Sequence, residues 1–411
     1  MLSKKNFQKF VTGLLFLCVC HQYAYGVIRY VKPGNTGTAP YTSWATASND
    51  LQAVINASSN GDQVWVAAGT YIPNRLPATG AVSTSRDISF LLKAGVSIYG
   101  GFTGTETLLS ERNHLTNITT LSGEIGSVLL STDNCYHVVI AAGAACSGLL
   151  DGFTITLGHA EVNLGLITVN SQTIIGSRGA GIYITASSPT IQNCIISGNK
   201  ALNGIDIGGA GVMVSSTASP VFNNCSFTNN IAANGSGSNV CGAGMYWAAT
   251  SGTINTCSFL NNNSGSQGGG INISADAAPD IIYCSFQNNS ATINGGGVAN
   301  NSGNANFSNC TFTSNTADYG AGLYNQGASP VVTGCSFFSN TATSGGGGIR
   351  NWANASPIIT NCIISGNTGG LYGGGIYNSS TSSPTITNCL VSGNTANNGG
   401  GIAIDNTSET T

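Results

Sequence analysis

Nine copies of a motif, Gly-Gly/Ala-Gly followed by an aliphatic residue or Met, run through the second half of this chain. The third glycine falls at Gly181, Gly211, Gly244, Gly270, Gly297, Gly322, Gly348, Gly375 and Gly401. From Gly244 onward the intervals are 26, 27, 25, 26, 27 and 26 residues. This spacing constrains the fold more than any other feature, because a unit so short cannot bury its own apolar face and needs neighbours stacked above and below it.

A second motif runs in phase with the first. Cysteine recurs at Cys194, Cys225, Cys257, Cys284, Cys310, Cys335, Cys362 and Cys389. Five residues after each stands an asparagine, at Asn199, Asn230, Asn262, Asn289, Asn315, Asn340, Asn367 and Asn394. Two residues after each cysteine comes a large apolar or β-branched side chain, as at Phe259 and Phe286. The segment from Ser383 to Asn394, Ser-Pro-Thr-Ile-Thr-Asn-Cys-Leu-Val-Ser-Gly-Asn, reads as strand, turn, strand without helical periodicity. Such units at a period of 25 to 27 predict one turn of a parallel β-helix each. The chain is therefore read as all-β, a solenoid whose nine regular coils extend about 40 Å at about 4.8 Å per coil.

Stacking explains the recurring residue types without reactivity. Asparagines lying one above another can hydrogen-bond as a ladder, and cysteine fills a small apolar slot. The glycines supply either φ > 0 or room at a tight corner, two roles the pattern leaves open. In-register cysteines would lie about 4.8 Å apart with parallel Cβ vectors, beyond the usual ~3.5–4.5 Å Cβ separation of a bridge, so free thiols are expected. Cys135, Cys146 and Cys241 lie off the ladder, the first two being the pair to consider for any bridge. There is no Cys-x-x-Cys, and His114, His137 and His159 all precede the ladder, so neither metal nor cofactor is expected.

Charged residues make up only 7% of the 411, against about 25% in ordinary soluble proteins. Past Arg178 the only cations are Lys200 and Arg350, which excludes nucleic acid as a partner, since that needs a basic stripe. At the start, Lys4, Lys5 and Lys9 precede an apolar run from Val11 to Cys20, with Ala24 and Gly26 at the small positions of a cleavage site. This is the pattern of a secretory signal peptide with a mature start near Val27. The run is about half the ~20 residues a spanning helix needs, and no later segment is apolar enough to cross a membrane. The chain divides into a signal peptide at 1–26, an N-terminal cap with irregular first coils at 27–178, and regular repeats at 179–411. Residues 44–60 carry the one helix pattern, with Ser48 as N-cap and Leu51, Val54 and Ile55 on one face. That helix is expected to cap the exposed first coil.

The elements Gly61-Asp-Gln-Val-Trp-Val-Ala-Ala-Gly-Thr-Tyr71, Tyr99-Gly-Gly-Phe-Thr-Gly-Thr-Glu106, Leu121-Ser-Gly-Glu-Ile-Gly126 and Leu150-Asp-Gly-Phe-Thr-Ile155 resemble the secreted right-handed parallel β-helix proteins of Bacteroidetes-type bacteria, which share the pectin lyase-like fold. The Gly-Gly-Gly-Ile and Phe-x-x-Asn elements, such as Phe227 to Asn230, are similar to repeats of chlamydial polymorphic outer-membrane proteins, which are adhesins. The resemblance implies a right-handed coil and a place outside the cell or on its outer surface. It departs in lacking the membrane barrel or sorting domain with which such relatives end. With Thr411 ten residues after Gly401 and no closing element visible, the expectation is a truncated product or an end covered by another chain.

The fold is shared with polysaccharide lyases and hydrolases, which need clustered carboxylates or calcium-binding acids beside a base. The polygalacturonase-like elements Asn-Thr-Asp, Asp-Asp and Arg-Ile-Lys do not occur. Asp276 and Asp280 are read as solvated turn acids and Asp151 as a turn residue, while Glu106, Glu111, Glu124, Asp133 and Glu161 leave open whether acids of the irregular half converge. Calcium-bound β-rolls need aspartate two residues past the third glycine, where this chain has Tyr183, Met213, Tyr246, Asn272, Ala299, Tyr324, Arg350, Tyr377 and Ala403. Strand alternation turns that position outward. With Trp247 and Trp352 beside Tyr183, Tyr246, Tyr324 and Tyr377, and asparagine following at Asn300, Asn325, Asn351 and Asn378, the pattern predicts an uncharged aromatic face. Such a face suits glycan rings or a host or cell-surface protein. Binding without catalysis is the expected function; a polysaccharide lyase or hydrolase and a purely structural rod are the alternatives.

Overall fold

The computed structural model describes residues 26–161, 166–203, 206–233, 240–274 and 276–405. The expected signal segment, apart from Gly26, lies outside these residues, as do the last six, on which the expectation for the C-terminal end turns. Each regular coil gives one strand to each of four parallel sheets. Sheet A has 12 strands, from Ile28–Val31 to Thr385–Thr387, and sheet B has 11, from Gly69–Tyr71 to Leu390–Ser392. Sheet C has 9, from His159–Glu161 to Thr395–Asn398, and sheet D has 11, from Phe90–Leu91 to Ile402–Ile404. No helix among the described residues is long and apolar enough to cross a membrane.

Identical positions pile up. Phe227, Phe259, Phe286, Phe312 and Phe337 pair in register along sheet B, and their rings stack at 4.5 to 4.8 Å. At the corner between sheets B and C the asparagines bond along the rod. Asn262 donates from both its backbone N–H and Nδ2 to Asn289 Oδ1, at 3.1 and 2.9 Å, while Nδ2 also donates to the Phe227 carbonyl at 2.8 Å. The same amide-to-amide bond links every step from Asn199 to Asn394. In the cysteine column, Cys284 Sγ lies 3.3 Å from the Ile282 carbonyl and 3.4 Å from that of Ile254, one coil earlier. All eleven described cysteines are unpaired; Cys135 turns to the His137 carbonyl, and Cys146 accepts from Asn170 Nδ2.

The glycine motif fills both of its possible roles. The first glycine has positive φ and leaves no room for a Cβ, which at Gly295 (65°) would run into the Val298 carbonyl oxygen, while the third provides room alone: a Cβ on Gly297 would stand 2.5 Å from the Gly322 carbonyl oxygen.

The helix is shorter than its pattern, Leu51–Ala57, with Leu51, Val54 and Ile55 in the core beside Val31 and Val64. Asp50, and not Ser48, is the N-cap: its carboxylate accepts from Ala53 N at 2.9 Å and is fixed by Arg75 at 2.7 Å. Ser48 Oγ instead accepts from Asp50 N.

His137 lies buried with Nδ1 3.0 Å from the Gly179 carbonyl and the Tyr183 ring edge-on at 5.3 Å. Burial pushes its imidazole down from the ordinary 6.5 to about 4. Between these values the unfolded chain binds a proton that the folded chain refuses. Stability should therefore fall as pH drops through this window, by up to about 3 kcal/mol. Urea midpoints across that range should show a slope that His137→Gln flattens; an unchanged slope would place the titration elsewhere.

Candidate functional site

The glycine turn between sheets C and D folds the chain back on itself. The residue just before each motif thereby forms a wall beside the outward column of sheet D. Wall positions Cys241, Gln267, Asn294 and Tyr319 are bridged in parallel, and Tyr319, Gly345, Tyr372 and Asn398 continue the line. The two columns complement each other in volume. A Cβ on Gly208 would come within 2.5 Å of Tyr246 Cδ1, and one on Gly345 within 2.8 Å of Tyr377 Cδ1.

This wall corrects the expectation of an open aromatic face. Tyr324 is only 3% exposed, and Tyr183 is 2% exposed, packed with Val169 and Ile174 of the antiparallel hairpin Leu166–Val169/Gln172–Ile175. Trp247 is fully buried because it stands two residues after the inward Met245, and its indole N–H donates to the Ala249 carbonyl at 3.0 Å. For the same reason of alternation Asn300, Asn325, Asn351 and Asn378 point inward, forming a second ladder at 3.5, 3.0 and 2.8 Å.

Tyr246, Trp352 and Tyr377 keep partial exposure. Around Tyr377 the structure gathers residues that sequence reasoning passed over. The Arg350 guanidinium lies 3.8 Å from the Tyr319 ring centroid and 5.0 Å from that of Tyr377, which stacks on Tyr372 at 5.2 Å. Arg350 Nη2 reaches Ser379 Oγ at 3.4 Å. A cavity of about 380 Å³ opens beside Tyr372 and Tyr377, lined also by Asn398, Ala403 and Asp405. The signal for Tyr319 and Tyr372 was available: each stands directly before a glycine motif, at one fixed phase of the repeat.

The acids of the irregular half are spread over separate partners. Asp62 pairs with Arg29, Asp50 with Arg75, and Glu161 with Arg86. Glu106 and Glu111 accept from backbone N–H groups of their own loops. Asp151, read from sequence as a turn residue, instead ends a strand and is buried. It binds Arg112 at 2.6 Å and accepts from Gln192 Nε2 and Asn193 Nδ2 at 2.8 Å each. Asp276 sits at φ 64°, whereas Asp280 opens a strand and accepts from Asn306 Nδ2 at 2.9 Å. Among the described residues no three His, Cys, Asp or Glu side chains are grouped to hold a metal.

A family profile described as a right-handed beta helix region matches residues 151–337, 233–372 and 269–411. No curated protein matches the chain. Solved structures similar to it include pectate lyase Pel9A, 13% identical over 90% of this chain and 78% of that one, with a TM-score of 0.44. The polygalacturonase of Erwinia carotovora ssp. carotovora is 10% identical over 94% of both chains, with a TM-score of 0.35. PfbA, a surface adhesin of Streptococcus pneumoniae, is 10% identical over 87% of this chain and 88% of its own, with a TM-score of 0.33. None of these likenesses carries a substrate or an activity to this chain.

Proposed function

The chain belongs to the family of right-handed β-helix proteins, and from that premise we propose that it is a secreted or cell-surface rod that binds glycan, or adheres through it, without catalysis. One observation carries the reading. Where Tyr183 and Tyr324 are sealed, Tyr372 and Tyr377 stay accessible beside a guanidinium that lies over the Tyr319 and Tyr377 rings, and Trp352, two residues after Arg350 on the same strand, keeps partial exposure. Aromatic faces fixed by stacking lose little freedom when a sugar ring lies on them. The separate pairing of the described acids favours binding over hydrolysis or elimination, which need carboxylates converging on one bond.

A glycan array probed with the whole protein and with a Trp352→Ala, Tyr372→Ser, Tyr377→Ser variant tests this. The variant should lose at least about tenfold in affinity, about 1.4 kcal/mol, for at least one of the glycans the parent retains. Undiminished retention of every glycan by a folded variant would remove the site. No retention by the parent would leave a structural rod, and release of reducing or unsaturated ends would mark a lyase or hydrolase.

A further inference from the structure

A second concavity, of about 400 Å³, lies far from the tyrosines in sequence, at the corner between sheets A and B. Its floor crosses four successive coils at Thr154, Asn193, Asn224 and Thr256, so it runs along the rod for about 14 Å at ~4.8 Å per step. The segment His114–Ile118 overhangs it, with His114 lying over Gly152, and presents Leu115, 74% exposed, and Ile118, while Ile195 lines the floor.

The floor is held rigid from below. Buried Asp151, fixed by Arg112, accepts from Asn193 Nδ2 at 2.8 Å, and Asn193 Oδ1 accepts in turn from Asn224 Nδ2 at 2.8 Å. Asn193, Asn224 and Thr256 occupy the left-handed region, at φ 51°, 50° and 52°, which sets their side chains at the same place in each coil. One step along, Ser258 Oγ donates to Ser226 Oγ at 3.1 Å. The lining thus combines fixed amides and hydroxyls at a regular step with an aliphatic overhang, and it includes no Asp, Glu, Lys or Arg.

The geometry points to a second binding site, for a linear uncharged oligosaccharide lying parallel to the rod axis. A saccharide unit is about as long as the coil-to-coil step. Its hydroxyls match amide and hydroxyl side chains, and its C–H faces match Leu115, Ile118 and Ile195. Apart from His114 the lining offers no cation to a carboxylate, which disfavours uronates and other anions. An extended peptide is disfavoured because the strands here, such as Thr190–Gln192 and Ile195–Ser197, already pair on both sides and leave no edge for its backbone. The site is independent of the Trp352–Tyr377 surface.

The test is calorimetric titration of the full chain with hexasaccharides of β-1,4-linked glucose, xylose and mannose, with hexagalacturonate and an uncharged decapeptide as comparisons. At least one neutral hexasaccharide should bind with a millimolar or tighter Kd. Leu115→Asp, on an exposed side chain, and Ile195→Lys should each weaken it about tenfold or more, and should do so equally in a protein already carrying Trp352→Ala, Tyr372→Ser and Tyr377→Ser. On the unsubstituted protein, carbene footprinting should show Leu115 and Ile195 protected by the same sugar. Binding of none of the three neutral sugars, preference for galacturonate or the peptide, or full binding by the Leu115 and Ile195 variants would each overturn the assignment.

Discussion

Asn315→Ala should open the rod at its middle, lowering stability by about 4 kcal/mol, because one truncation orphans several buried groups of about 1–3 kcal/mol each before relaxation. Asn315 is fully buried. Its Oδ1 accepts from the backbone N–H and Nδ2 of Asn289, at 3.0 and 3.1 Å, and its Nδ2 donates to the Phe286 carbonyl and Asn340 Oδ1, both at 2.9 Å. Asn289 and Asn340 on either side are equally buried, so bulk solvent does not stand ready to replace these partners. Asn394 makes the same bond to the Ile364 carbonyl, at 2.8 Å, but is partly exposed, so Asn394→Ala should cost only about 1 kcal/mol. Since a stacked array opens locally as well as globally, the sharper readout is hydrogen exchange at the Asn289 amide, which should accelerate far more than amides several coils away. Equal costs at Asn315 and Asn394 would mean that burial does not set the strength of the ladder.

The ladder was legible because stacking repeats one environment at every coil, so each coil needs the same side chain there, and the need is written as a period. The phenylalanine column and the inward aliphatic residue after each glycine motif were legible on the same ground. The fate of the outward tyrosines was not. Whether Tyr324 is covered depends on how the glycine turn folds the chain over the following coil, and Tyr183 is sealed by a hairpin that, among the described residues, occurs in a single coil. Trp247 and the inner asparagines fell to a simpler error, since counting one residue further along the strand reverses the face. Asp151 shows a third limit: Arg112, 39 residues away, and Gln192, 41 away, turn an apparent turn acid into a buried anchor. Local pattern reports the coil, while the candidate sites are made where coils depart from one another.

Gly297→Val should be the most damaging substitution in the array, costing about 4 kcal/mol or more, since overpacking typically costs about 1–3 and here meets backbone that cannot yield by a rotamer change. A Cβ at Gly297 would lie 2.5 Å from the Gly322 carbonyl oxygen and 3.1 Å from Phe312 Cδ1. That carbonyl accepts from Val298 N at 3.0 Å, so moving it away breaks the rung that joins the two coils. The added methyls then press on the phenylalanine stack and, through Asn315 at 3.4 Å, on the asparagine ladder, coupling three columns to one fault. Gly366→Ala separates this steric role from the conformational one. At φ 66°, with nothing nearer its Cβ than Ser339 Oγ at 4.0 Å, an alanine there loses about 1–2 kcal/mol from its left-handed backbone alone. Urea midpoints should rank Gly297→Val well below Gly366→Ala, and hydrogen exchange should place the Gly297→Val opening between the coils of Val298 and Leu323. If Gly366→Ala proved the more harmful, handedness of the backbone and not closeness of the coils would be what the array most asks of its glycines.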